Sequence, residues 1–127
     1  MDTSETYIKM RLAAIPDLGM GEPPQVDWDK PRWSNDKVFV DTKGDFYYAD
    51  EEKACQLERQ DQLQEMMREA SEVILLESFF CFVFNPNKNF WQTEYTRQFT
   101  SMEQLWLAFV MSQLYNKVWN REQWIAS

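Results

Sequence analysis

Apolar and polar positions follow three rhythms along the chain: a helical one at both ends and in the middle, an alternating one in short runs, and an irregular one between them. Tyr7, Ile8, Leu12 and Ile15 lie one or two helical turns apart behind Ser4 or Thr3, which predicts a short, N-capped first helix that Pro16 stops. Residues 16–36 hold four of the five prolines and two of the three glycines, and read as an extended connection. Two β-prone runs, 37–41 and 46–50, flank a turn containing Gly44 and predict a hairpin near residues 37–50.

From 53 to 70, Ala54, Leu57, Leu63, Met66, Met67 and Ala70 keep a helical spacing, with a break near Arg59 where Gln60, Asp61 and Gln62 interrupt the stripe. Residues 73–84 are too densely apolar for period alone to separate helix from buried strand, and are assigned to a helix ended by Asn85-Pro86-Asn87. Residues 88–99 alternate weakly, placing Trp91, Thr93 and Tyr95 on one side of a strand. Ser101 and Gln104, like Thr100 and Glu103, have the spacing of a capping box, and a helix is predicted from 102 to about 119. Leu105 to Met111 is an unbroken apolar run, so that helix must lie in the core or against a partner, with Leu105, Trp106, Phe109 and Val110 as core residues.

The elements add up to a mainly helical, small α+β domain, and 127 residues suit one domain spanning 1–127. Hydrophobic residues at 44% and aromatic residues at 16% exceed what a disordered chain carries, so the chain is expected to fold. No repeat or low-complexity tract interrupts it.

The formal net charge of −8 is unevenly spread: nine basic and eighteen acidic residues precede or include Phe84, and four basic and three acidic follow it. Such a field repels phosphate backbones, which argues against direct nucleic-acid binding, and suits a protein partner with a basic surface, including one that normally holds nucleic acid. The simpler role of the same charge is to keep the chain in solution. The two cysteines, Cys55 and Cys81, both fall in segments read as helical and partly buried, and are expected to be free thiols in a reducing compartment. The first ten residues lack the basic and apolar regions of a signal peptide, and 73–84 is too short to span a bilayer, so neither export nor membrane anchoring is expected.

Histidine is absent, which removes the commonest general base and transition-metal ligand. Neither cysteine has an activating group beside it in sequence, and three glycines build no phosphate loop. Asp41, Asp45 and Asp50 depart from the spacing of a calcium loop, and Gly44 is explained by its turn. The reading is therefore of a protein that is not an enzyme and holds no cofactor or metal. Glu77 would have a raised pKa if buried among residues 73–84, but such a residue more often faces solvent or pairs with a cation. Trp28 and Trp33, Tyr47 and Tyr48, and the acidic Asp50, Glu51 and Glu52 form the candidate partner-binding set, since aromatic anchors beside negative charge can grip a basic protein surface. The competing roles are structural: tryptophan lids on a small core, and acids at the start of a helix.

The blocks 59–67, RQDQLQEMM, and 99–111, FTSMEQLWLAFVM, resemble an uncharacterised family of small proteins encoded by bacteriophages and prophages. The likeness extends to residues 7–10 and 118–120 and to Trp124. It departs at Leu57, where the family usually has a proline two residues before the matching arginine. The resemblance implies an origin, with the cytoplasm of a bacterial host cell as the setting, and carries no activity or functional residues with it. The expected function is non-enzymatic: a phage-type protein that binds a host or viral protein, in one form as an inhibitor of a nucleic-acid-handling or defence complex. The alternative is a self-assembling structural or accessory protein whose helix 102–119 packs against its copy in a homo-oligomer.

Overall fold

The computed structural model describes residues 1–21, 38–41, 43–44, 55–67, 72–84 and 95–127. Helix α1, Glu5–Ala13, starts where the sequence places it, with the Ser4 hydroxyl accepting the Tyr7 N–H at 3.3 Å. Its inward stripe is Tyr7, Met10, Arg11 and Ala14, at the spacing of one helical face. Pro16 does not stop the helical path. It sits in the first turn of a four-residue helix α2, Ile15–Leu18, where its missing N–H has no intrahelical partner to lose.

Strand β1, Val38–Val40, forms inside the expected hairpin, and the turn after it is built as predicted. The Asp41 carbonyl accepts the Gly44 N–H at 3.0 Å, its carboxylate accepts the Lys43 N–H at 2.8 Å, and Gly44 takes φ +89°. The partner of β1 is β2, Cys55–Leu57, paired antiparallel with Val38 opposite Leu57 and Val40 opposite Cys55. Residues 46–50, the second run of the predicted hairpin, lie outside the described residues.

Assigning 55–57 to a helix is thus overturned. All three β2 residues are buried, and the Gln56 N–H donates to the Met20 carbonyl at 2.8 Å, so the strand is bonded to the chain on both edges. Gly21 follows at φ +77°, so close to β2 that a Cβ there would lie 2.6 Å from the Gln56 Cβ; only glycine fits. The helix of this region starts after the expected break, as α3, Gln60–Glu65, whose Leu63 enters the core.

Helix α4, Glu72–Phe84, follows the sequence reading. Tyr95 lies in a short helical turn, 95–97, rather than in a strand; Trp91 and Thr93 lie outside the described residues. The central helix is α5, Met102–Tyr115. Ser101 caps it by accepting the Gln104 N–H at 3.1 Å, while the Gln104 side chain accepts the Thr100 N–H at 3.1 Å, so the box closes one residue upstream of the cap.

Eight residues of α5, Glu103, Gln104 and Trp106 through Met111, are buried, and the helix contacts α1, α3 and the segment after it. Trp106, Phe109 and Val110 are buried as expected, and Leu105 is partly so. Each large side chain enclosed in this way stabilises the fold by about 1.5–3 kcal/mol relative to exposure.

The predicted end of this helix near 119 is corrected to Tyr115. Asn116 adopts the left-handed conformation, φ 54°, and its N–H returns to the Ser112 carbonyl at 3.2 Å. The chain then forms a second hairpin, β3, Lys117–Trp119, and β4, Trp124–Ala126, in which Trp119 pairs with Trp124 and their rings lie 5.0 Å apart. The Asn120 carboxamide oxygen accepts the N–H groups of Glu122 and Gln123 at 3.0 and 2.8 Å and shapes the turn. Trp124 Nε1 donates to the Met10 carbonyl at 2.9 Å, tying the hairpin to α1. Both thiols are free; Cys55 is buried in β2, whereas Cys81 is exposed on α4, against the expectation that both are partly buried in helices.

Candidate protein-binding surface

Helix α4 is held to the core along one side by rings. Phe79 stacks on Trp106 with centroids 4.0 Å apart and planes within 5°, and meets Phe109 edge-on at 5.4 Å. Phe82 contacts Phe109 at 5.4 Å and Tyr95 at 6.3 Å, and the Thr96 hydroxyl donates to the Val83 carbonyl at 3.2 Å near the helix end. Burial pushes the Tyr95 phenol up to about 12, while its oxygen accepts the Trp119 N–H.

The opposite side of α4 is also largely apolar, with Glu77 and Ser78 as its polar residues among those described, and is not enclosed. Val73 is 74% exposed, Leu76 60%, Phe80 57% and Phe84 59%, and the rings of Phe80 and Phe84 lie against each other at 5.2 Å. With 100° between successive helical residues, Glu77 falls at the middle of this exposed arc, with Val73, Phe80 and Phe84 within about 60° on one flank. Glu77 is exposed, as its commoner role suggests, and has no ion pair among the described residues. From Val73 to Phe84 the stripe runs roughly 16 Å along the axis.

A second feature is a cleft of about 570 Å3 lined by Gly19, Gly21, Gln56, Glu58, Asp61 and Glu65, among others. Arg11 lies wholly buried behind it: Nε donates to both Glu58 oxygens at 2.6 and 3.0 Å, and Nη2 donates to the Gly19 carbonyl at 2.8 Å. Burial works against the guanidinium charge, but the hydrogen bonds and charge of Glu58 outweigh it and raise the Arg11 pKa further. The Tyr7 hydroxyl donates to the Glu58 carbonyl at 2.6 Å, and burial together with the Glu58 charge pushes that phenol up.

At the rim, Arg59 donates to Asp61 at 3.1 Å and holds its carboxyl below the usual range. The Glu58 and Asp61 carboxylates are therefore engaged by arginines, so the arrangement does structural work and presents neither as a free base. Among the described residues there is no group of three or more Cys, Asp or Glu placed to hold a metal ion, and no helix is long and apolar enough to cross a membrane.

The sequence-predicted partner set of Trp28, Trp33, Tyr47, Tyr48, Asp50, Glu51 and Glu52 lies entirely outside the described residues. The outer face of α4 was not in that set. Part of its signal is in the sequence: residues 73–84 are nearly as apolar as 105–111, interrupted only by Glu77 and Ser78, and a helix of that kind needs cover on most of its sides. Neither a family model, nor a curated protein, nor a solved structure matches the chain.

Proposed function

We propose that the chain is a non-enzymatic binding protein that acts by occupying a surface of another protein, and that the outer face of α4 is where it does so. The observation that carries this reading is the exposure of Val73, Leu76, Phe80 and Phe84 on a helix whose other side is anchored by ring stacking. Contiguous apolar surface of this kind mixes poorly with water, and covering it gains about 25 cal/mol per Å2. The lack of histidine and the pairing of Glu58 and Asp61 with arginines favour binding over catalysis. The phage resemblance makes a host or viral protein in the bacterial cytoplasm the partner we favour, with inhibition of a nucleic-acid-handling or defence complex as the outcome.

The second reading is self-assembly. Its original surface, the helix beginning at Met102, has most of its apolar side chains inside its own core, so a homo-oligomer would have to use α4 instead. One experiment separates the two. A photo-crosslinking residue replaces Phe80, with the exposed Lys9 as the control position, and the full chain is irradiated in nuclease-treated bacterial lysate. The proposed function predicts a discrete adduct with a different protein from position 80 and none from position 9. An adduct with a second copy alone supports self-assembly, and no adduct from position 80 overturns the reading.

A further inference from the structure

The exposed stripe of α4 is a seam with a charge in it. Val73, Glu77, Phe80 and Phe84 follow one another at intervals of four, three and four residues, the spacing that keeps side chains facing a neighbouring helix in a coiled coil. Three of these positions are apolar and exposed, and the fourth is a carboxylate with no ion pair among the described residues. Covering the seam would strip water from Glu77, a large penalty unless the covering surface brings a cation within hydrogen-bonding reach. A charged residue at such a position acts as a selector: it weakens every apolar partner except one with the matching charge.

The same carboxylate weighs against two other occupants. A second copy related by a two-fold axis near the middle of the helix would set Glu77 against Glu77, and the net charge of −8 adds to that repulsion. A lipid surface is bound by helices that carry Lys and Arg along their polar edge, and α4 contains neither. What remains is a protein surface that is apolar, elongated and singly basic. The ridge formed by Leu76, Phe80 and Phe84 at intervals of four is the shape that another helix accepts between its own ridges.

Resting on the reading of α4 as the binding surface, we propose that its occupant is an amphipathic helix of another protein presenting one Lys or Arg in the middle of an apolar stripe. The cation pairs with Glu77, while the apolar side chains of that helix cover Val73, Phe80 and Phe84. Apolar contact supplies the attraction and the buried ion pair sets register and choice of partner.

The test uses the full chain and two synthetic helical peptides, identical amphipathic sequences with leucine along the seam and either Lys or Glu at its central position. Titration by fluorescence anisotropy should give binding to the Lys peptide roughly tenfold tighter than to the Glu peptide. Glu77→Lys should reverse that order, and Glu77→Gln should nearly abolish the difference, with circular dichroism showing each variant folded. Equal affinity for the two peptides, lost in Phe80→Asp, overturns this inference while leaving the binding surface standing. Binding of neither peptide also overturns it, and crosslinking from position 80 then decides the wider reading separately. A dimer in light scattering that Phe80→Asp dissociates, or binding to phosphatidylglycerol vesicles that Phe80→Asp abolishes, overturns it in favour of a second copy or of lipid.

Discussion

Helices α4 and α5 are made of nearly the same material and meet opposite fates. Ten of the 13 residues of α4 and ten of the 14 of α5 are apolar, so hydrophobicity does not explain why α5 is enclosed and α4 is covered along one side only. Their neighbours and the way their ends are fixed explain it. At its start, α5 is gripped by Ser101, by the Asp2 N–H donating to Glu103 at 2.6 Å, and by Gln104 donating to Asp2 at 2.8 Å. At its end, Asn116 turns the chain back into a hairpin that packs over it. The described part of α4 meets the core through Leu75, Phe79 and Phe82 and turns the rest outward. A side of a helix that is apolar but unused by the fold is available for function.

The sharpest break in the comparison comes from the inner side of the molecule. Glu58→Ala leaves the Arg11 charge buried without its carboxylate, and should lower unfolding stability by about 3–5 kcal/mol in urea titration. The double replacement Arg11→Met, Glu58→Leu should recover much of that loss, because it removes the charge that needs a partner. If Glu58→Ala unfolds at the wild-type midpoint, the pair is not buried in solution and the inner side is as open as the outer.

Asp2 gives a smaller and pH-dependent effect confined to α5. Burial pushes its carboxyl up, but hydrogen bonds from Ser101, Ser4 and Gln104 outweigh that and hold the pKa below the ordinary 3.8. Its contribution is therefore complete above that value and fades as the pH falls below it through the lowered folded pKa. Asp2→Asn should cost about 1 kcal/mol at neutral pH and flatten the part of the acid unfolding curve below that value. An unchanged curve would show that the start of α5 is not fixed by this side chain.

How much of this was legible depended on whether the deciding contact was local. The Ser4 and Ser101 caps, the turn at Gly44 and the burial of Trp106, Phe109 and Val110 follow from residues within one or two turns of each other, and the sequence reading has them, each cap as one of two candidates. Strand β2 reads as helix in the sequence because Ala54 and Leu57 keep a helical interval. What makes 55–57 a strand is bonding to Val38–Val40 on one edge and Met20 on the other, which no local rule reports. The β3–β4 hairpin carries no glycine signal in the sequence, because Arg121, at φ 83°, takes the glycine-like place in its turn. The role of Arg11 has no signal in the sequence, since only the tertiary fold brings Glu58 to it. For the binding surface, the aromatic and acidic set from Trp28 to Glu52 drew attention through residue type, whereas α4 announces itself only once one of its sides is seen to be filled.

The central claim is that the outer face of α4 belongs to a partner and not to the fold, and the unfolding free energy of Phe80→Ala set beside Phe109→Ala tests it most directly. Phe109→Ala should cost about 3–5 kcal/mol, as expected for a large core aromatic, and Phe80→Ala should stay within about 0.5 kcal/mol of the parent, as for surface positions. A loss of more than about 2 kcal/mol for Phe80→Ala would place that ring inside the folded chain and contradict the account.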